Sequence, residues 1–309
     1  MKVLLWNLHD SWTNAFVQGP HEYLLPVLPE RGPDGRGRDK DVEWPAAREL
    51  SPQALADEEV DAVVLQRPHE VARVEQWLGR RPGRGLPAVY VEHDAPQGRI
   101  AEMRHPAAEL EGVVLVHVTH FNDLFWDPGL APTRVIEHGI VDPGYRYTGE
   151  LAEAAVTINE PLRHGRVTGT DLLGRLNHDV TLRLFGIGAG ELGGVENLPK
   201  AELHAEMARR RAYLHPIRWT SLGLSLIEAM QLGMPVVALA TTEAVEAVPP
   251  EAGVISTRVE TLRESLRHYM ADPELAAEDG VRARAHARAR FGIERFLAEW
   301  DELLAEVAR

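Results

Sequence analysis

Short apolar runs alternate with stretches of helical periodicity along most of the chain. In the first half Val3–Leu8, Ala62–Leu65, Ala88–Glu92, Val113–Thr119 and Arg134–Glu137 read as strands. In the second half Ala154–Ile158, Leu182–Phe185, Ala212–His215, Val236–Ala240 and Gly253–Ser256 do the same. Several are continuous Val/Leu runs, the pattern of parallel strands covered on both faces. The Gly-rich, charged stretch ERGPDGRGRDKDVEW reads as an exposed loop, and a polar break falls near Asp142–Glu150. The expected fold class is α/β, with two Rossmann-like domains over 1–147 and 148–290. An amphipathic helix over 291–309 then puts Phe296, Trp300, Leu303, Leu304 and Val307 on one face, to pack on a domain surface or cross back to the first domain. Two open parallel sheets facing each other predict a ligand cleft between them, with ligands beyond the carboxyl ends of strands.

Composition narrows the function classes. With 44% hydrophobic and 26% charged residues, the 309-residue chain is globular in type and long enough for two cores. A formal net charge of -14 without a long basic run argues against nucleic acid as a partner. The absence of cysteine excludes disulfide and thiolate chemistry and is compatible with a cytoplasmic location. The start, MKVLLWNLHDSW, is too short in its apolar run for a signal segment, and no run of 18 or more apolar residues suggests a transmembrane span. Peripheral membrane contact stays open.

The densest chemical signal is RWTSLGLSLIEAMQLGMPVVALAT, Arg218–Thr241. Pro216 ends the strand Ala212–His215. A helix is predicted to start at Ser221 or Leu222 and to stop at Gly233, with Pro235 just beyond. Free amides and the helix dipole at its start suit a phosphate, and Gly223 permits close approach. Glu228, one turn further in, sits in an apolar setting where a carboxylate needs partners. Vicinal ribose hydroxyls would satisfy it, and so would an arginine or a helix terminus.

The run LHPIRWTSLGLSLIEAMQLGMPVVALATTEAVEAV…AGVIS resembles the donor-binding signature of family 4 glycosyltransferases, which have the two-domain GT-B fold. The likeness continues into FGIERFLAEW; KVLLWNLHDSW…FVQG and VYVEHDAPQG agree more weakly in the first half. The resemblance implies a nucleotide-diphospho-sugar donor bound mainly by the second domain. Glu228 then holds the ribose, and the backbone at Gly223, Leu224 and Ser225, with Ser221 nearby, meets the diphosphate or sugar. The family's other glutamate, eight residues earlier, is Thr220 here, a departure that bears on donor choice or activity. In INEPLRHGRVTGTDLL, Arg163 fits the family's phosphate-binding arginine. Thr168 replaces the usual lysine, with Arg166 as its substitute. His93 resembles a histidine that contacts the donor sugar, against the alternative of a strand-end structural histidine. Asp94 beside it reads as a cap. Gly19, in FVQGPHEYLL, stands where the family keeps a glycine-rich loop after the first strand, and that loop is expected to lead into a helix with Pro20 near its first position. His9 could line the cleft; Trp12 and Phe16 could form an acceptor platform, although aromatic residues at helical spacing are more often core.

Three other stretches carry less. The DKD of Asp39–Asp41 sits in a charged loop rather than at a strand end, so no metal is expected. His117 and His120 fall on opposite faces if one strand runs through both. ARRRAY, Ala208–Tyr213, reads as a solvated helix end.

The leading reading is a retaining glycosyltransferase moving a sugar from a nucleotide-diphospho-sugar to a hydroxyl acceptor, with no cofactor. A non-catalytic nucleotide-sugar-binding partner keeps the same fold, and Thr220 and Thr168 favour it. A GT-B sugar-nucleotide epimerase would need acid and base groups beyond His93 and Asp94.

Overall fold

The structure, a computed structural model, describes residues 1–39 and 42–309. The chain divides into two units: Met1–Val141 with Ile293–Arg309, and Asp142–Gly292. The terminal helix therefore belongs with the first unit.

The first unit contains β1 (Lys2–Leu5), α1 (Asp10–Phe16), β2 (Glu22–Pro26), β3 (Ala47–Leu50), α2 (Pro52–Ala56), β4 (Ala62–Leu65), α3 (Glu70–Leu78), the two-residue β5 (Arg81–Pro82) and β6 (Gly85–Leu86), β7 (Ala88–Glu92), β8 (Val113–His117), α4 (His120–Phe125) and β9 (Thr133–Val135). Its seven-stranded sheet has the order β3-β2-β1-β4-β7-β8-β9, and neighbouring strands are parallel throughout. The second unit contains β10 (Leu151–Thr157), α5 (Thr170–Leu176), β11 (Thr181–Phe185), α6 (Lys200–Ala208), β12 (Arg210–His215), α7 (Leu224–Leu232), β13 (Val236–Leu239), α8 (Ala244–Ala247), β14 (Gly253–Ser256), α9 (Val259–Ala271) and α10 (Pro273–Arg290). Its five strands are also parallel, in the order β11-β10-β12-β13-β14. The last helix, α11, is Ile293–Val307.

Burial on both faces explains the apolar runs. In the first unit Val3, Leu5, Val64, Val89 and Val116 face a core closed by Trp12, Phe16, Phe296 and Trp300. Leu4, Val63, Leu65, Ala88 and Leu115 face the opposite core under Leu55, Val74 and Trp77. Trp12 and Phe16 are core, and α11 buries Phe296, Trp300, Leu303 and Leu304, as its periodicity predicts. In the second unit Ala154, Val156, Leu214 and Val237 pack on one side against Leu172, Leu176, Leu262 and Leu266.

Local pattern misled the reading in four places. Glu22–Pro26 is a strand rather than a helix: it pairs in parallel with β1, Val3 opposite Tyr23 and Leu4 opposite Leu24. Non-local pairing here outweighs the helix-start signal of Pro20. The edge strand β3, half polar, gave no apolar run. Arg210 and Arg211 begin β12 instead of ending a solvated helix, and buried Arg210 pairs with Glu153 and Glu206. His117 closes β8 while His120 opens α4, so no single strand carries both. Of the DKD stretch, Lys40 and Asp41 lie outside the described residues.

Candidate functional site

In the second unit the strand order reverses between β10 and β12, since β11 lies on one side of β10 and β12 on the other. The crevice beyond the carboxyl ends at such a switch point is where open α/β sheets bind ligands. The loops after β10 and β12 carry Arg163, Arg166 and Thr168 on one side, and Thr220, Ser221 and Gly223 on the other.

These two loops are joined closely. Gly169 has φ +76, and a Cβ there would fall 1.9 Å from the Pro216 carbonyl oxygen. Arg218 donates its backbone N–H to the Val167 carbonyl at 2.8 Å. Its guanidinium forks onto Asp171, with Nη2 2.9 Å from Oδ2, and also reaches the Arg166 carbonyl at 2.6 Å. The Arg218 hydrogen bond holds the Asp171 carboxyl below its ordinary range. Arg218 stands inside the motif quoted above, and sequence reading passed over it.

The cationic groups are presented outward. Arg163 is 70% exposed, its guanidinium 2.9 Å from Glu160 Oε2; Arg166 is 83% exposed and 3.6 Å from Asp171. Exposed ion pairs of this kind are weak, so both arginines can exchange their carboxylate for a phosphate at little cost. Thr168 bonds locally, its hydroxyl 3.1 Å from the His164 carbonyl and 2.9 Å from Thr170 Oγ1.

Helix α7 starts at Leu224 with Gly223 as its N-cap, two or three residues later than its Ser221 or Leu222 start in sequence reading. Ser221 and Leu222 are instead buried in the loop that enters it. A Cβ at Gly223 would lie 2.6 Å from His215 Cε1. Glycine is therefore needed for the buried imidazole beneath the helix start as well as for any ligand above it. Ser225 Oγ is 2.9 Å from the Tyr213 hydroxyl, which pins the first turn to β12. The first amides of a helix have no intrahelical acceptor, so Leu224 and Ser225 present N–H groups at the carboxyl edge of the sheet. Gly233, at φ +93, ends α7 as expected.

Glu228 is 5% exposed within a helix buried from Leu226 to Leu232. Its Oε1 is 2.7 Å from Lys200 Nζ and its Oε2 3.1 Å from His204 Nε2. Burial pushes its pKa up, but the His204 hydrogen bond and the Lys200 charge outweigh that, bringing it down to about 2. The group is thus an ionised carboxylate, and its partners here are Lys200 and His204 rather than the arginine or helix terminus expected as the alternative to ribose. Lys200 and His204, at i and i+4 of α6 in KAELHAEM, were not singled out in the sequence. Their spacing on one helical face was the available signal.

In the first unit the order reverses between β1 and β4, and a cluster of polar groups gathers at the carboxyl edge. The His93 ring lies 4.1 Å from that of His9, centroid to centroid. Gln66, just after β4, donates Nε2–H to the Trp6 carbonyl at 2.8 Å, which turns its Oε1 toward His93 Nε2 at 2.9 Å. His93 Nε2 is therefore the protonated nitrogen. Burial, then the neighbouring His9 and His138, hold His93 well below the usual imidazole range. Buried His138 is lowered to about 3, mainly by burial. Gln66 follows an apolar run directly, a signal sequence reading did not use. Gly19 does not join this cluster: it lies between α1 and β2, at the amino edge of the sheet. The loop at the ligand edge is the one between β1 and α1, which holds His9.

Comparison with known proteins bears on the second unit and on the fold. Residues 194–286 match the family model of glycosyl transferases group 1. The match lies within the second unit. The fold of the chain is GT-B. It is similar to sucrose-phosphate synthase from Thermosynechococcus elongatus, with TM-score 0.74 and 13% identity over 99% of each chain. It is also similar to HepE from Anabaena in complex with UDP and glucose, TM-score 0.71, 15% identity, covering 99% of this chain and 100% of that one. A third likeness is to WaaG, a glycosyltransferase involved in lipopolysaccharide biosynthesis, at TM-score 0.66 and 14% identity over 98% and 99% of the two chains. At such identities these structures establish the fold. No curated protein matches the sequence. No helix among the described residues is long and apolar enough to cross a membrane.

Proposed function

We propose that the protein transfers a sugar from a nucleotide-diphospho-sugar to a hydroxyl acceptor with retention of configuration. The observation that carries this reading is the ionised, buried Glu228 one turn inside a helix that starts at the switch point of the second sheet. The ribose diol is its ligand in this proposal, the amides of Gly223 to Ser225 take the diphosphate, and Ser221 and Thr220 line the sugar end. Arg163 and Arg166 offset the charge that grows on the leaving diphosphate, so no metal ion is required. His93, its Nε2–H fixed by Gln66, is the family-implied partner of a sugar hydroxyl. The acceptor oxygen bonds to the anomeric carbon as the carbon–phosphate oxygen bond breaks, and the acceptor proton passes to the departing phosphate oxygen on the same face. Positioning and electrostatic stabilisation then supply the catalysis. UDP is the first nucleotide to test, because the similar HepE is described with UDP and with UDP-glucose.

Calorimetric titration of the full chain with UDP, GDP and ADP tests this, together with Glu228→Ala. At least one ribonucleotide binds, and the substitution weakens it about tenfold or more, the cost of one charge-assisted contact. Unchanged affinity in Glu228→Ala refutes the ribose role. A second reading, a nucleotide-sugar-binding partner without turnover, is favoured by Thr220 and Thr168 at the family's Glu and Lys positions. Donor hydrolysis or transfer by the purified protein decides against it.

A further inference from the structure

Three side chains meet where the ribose carboxylate is placed. Lys200 opens α6 and His204 follows one turn later, so both project from the same face of that helix onto Glu228 of α7. An ionised carboxylate only accepts, so His204 Nε2 carries the hydrogen of the 3.1 Å contact. The two donors differ in freedom. The His204 side chain is 6% exposed and held by packing, whereas that of Lys200 is 44% exposed on a flexible four-carbon stem. The Glu228 side chain is itself 7% exposed. A group arriving from solvent at Oε1 must move the ammonium rather than the imidazole.

The geometry points to Lys200 as a displaceable occupant of the nucleoside diol's place on Glu228. This rests on the reading of Glu228 as the ribose clamp. In the free protein Lys200 holds Oε1, which keeps a buried carboxylate compensated while the site is empty. When the vicinal hydroxyls arrive, Lys200 yields Oε1 to them, and His204 stays on Oε2 and keeps the carboxylate aimed. The lysine therefore competes with the ligand for the same lone pairs. Its removal destabilises the empty protein and tightens the complex, the reverse of what loss of an ordinary phosphate-binding lysine does.

The test is calorimetry of the full chain at neutral pH with UDP and with 2′,3′-dideoxy-UDP, on wild type, Lys200→Met and Lys200→Gln. Both variants bind UDP about threefold or more tightly than wild type, the size of a partly exposed ion pair. Both melt at a lower temperature without ligand. The gain vanishes with the dideoxy nucleotide, which has no diol to take the vacated oxygen. Weaker or unchanged UDP binding in both variants overturns the proposal, as does an equal gain for UDP and its dideoxy form. Failure of the underlying reading looks different: wild type then binds the two nucleotides equally well. If UDP does not bind, GDP or ADP with its dideoxy form replaces it, and binding of none of the three sinks the donor reading itself.

Discussion

Gly169 and Pro216 hold the two loops of the second sheet's switch point together. The glycine has φ +76, and any Cβ would sit 1.9 Å from the Pro216 carbonyl oxygen. Gly169→Ala adds left-handed strain and a backbone clash at once, so it costs about 2 kcal/mol or more. Denaturant unfolding measures this. Stability equal to wild type would show that the loops do not approach as described.

Arg218 is the other tie, reaching Asp171 and the carbonyls of Arg166 and Val167 from across the crevice. Because Asp171 is largely solvated, Arg218→Ala changes stability by roughly 1 kcal/mol or less. Nucleotide affinity falls further, about fivefold to tenfold, as the loop bearing Arg163 and Arg166 loses its anchor. Equal losses in stability and affinity would make Arg218 merely structural.

Thr220, four residues before α7 begins at Leu224, stands where the signature it resembles has a glutamate. Thr220→Glu is expected to change the ratio of kcat/KM values among donor sugars while leaving UDP affinity near wild type. An unaltered donor profile would remove Thr220 from the sugar site.

Acid weakens this protein before its carboxylates titrate. Burial lowers His117 to about 4, with Asp123 opposing it, and burial lowers His215 to about 4 as well. Their unfolded value is 6.5. A base with a depressed folded pKa costs nothing above 6.5. As pH falls from there the unfolded chain takes up the proton alone, until the penalty levels off near pH 4. Linkage puts the limit at roughly 3 kcal/mol for each histidine. Glu228 acts lower, its contribution being lost only as pH falls from the unfolded carboxyl range toward about 2. Urea midpoints therefore drop between pH 7 and 5. His117→Leu, which removes a buried imidazole whose two nitrogens have no hydrogen-bond partner among the described residues, flattens that slope. A slope unchanged by the substitution would place the acid sensitivity elsewhere.

Much of the site was legible because the motif is local. Gly223, Leu224, Ser225 and Glu228 lie on one loop and helix, and the strand before them ends at His215 as its apolar run predicts. The start of α7 was misplaced because Ser221 is a good cap by type, yet it is buried in the loop, and Gly223 takes the cap position. Arg163 and Arg166 were found as a pair, but their present carboxylate partners, Glu160 and Asp171, depend on how the loop folds. Gly19 was assigned to the ligand edge by its resemblance to the family's glycine-rich loop after the first strand. With α1 between them, the chain has already crossed to the other edge of the sheet.

By itself the sequence determined the two α/β alternations, the runs buried on both faces, the glycine stop of α7 and the apolar face of α11. Each is a local periodicity or a backbone requirement, and each is written in consecutive residues. Tertiary structure alone decided that Glu22–Pro26 is a strand, since its hydrogen-bond partner is β1, about twenty residues earlier. It also decided that Glu228 is held by Lys200 and His204, from the preceding helix. A buried charge announces that it needs a partner, but the packing of distant segments chooses which one.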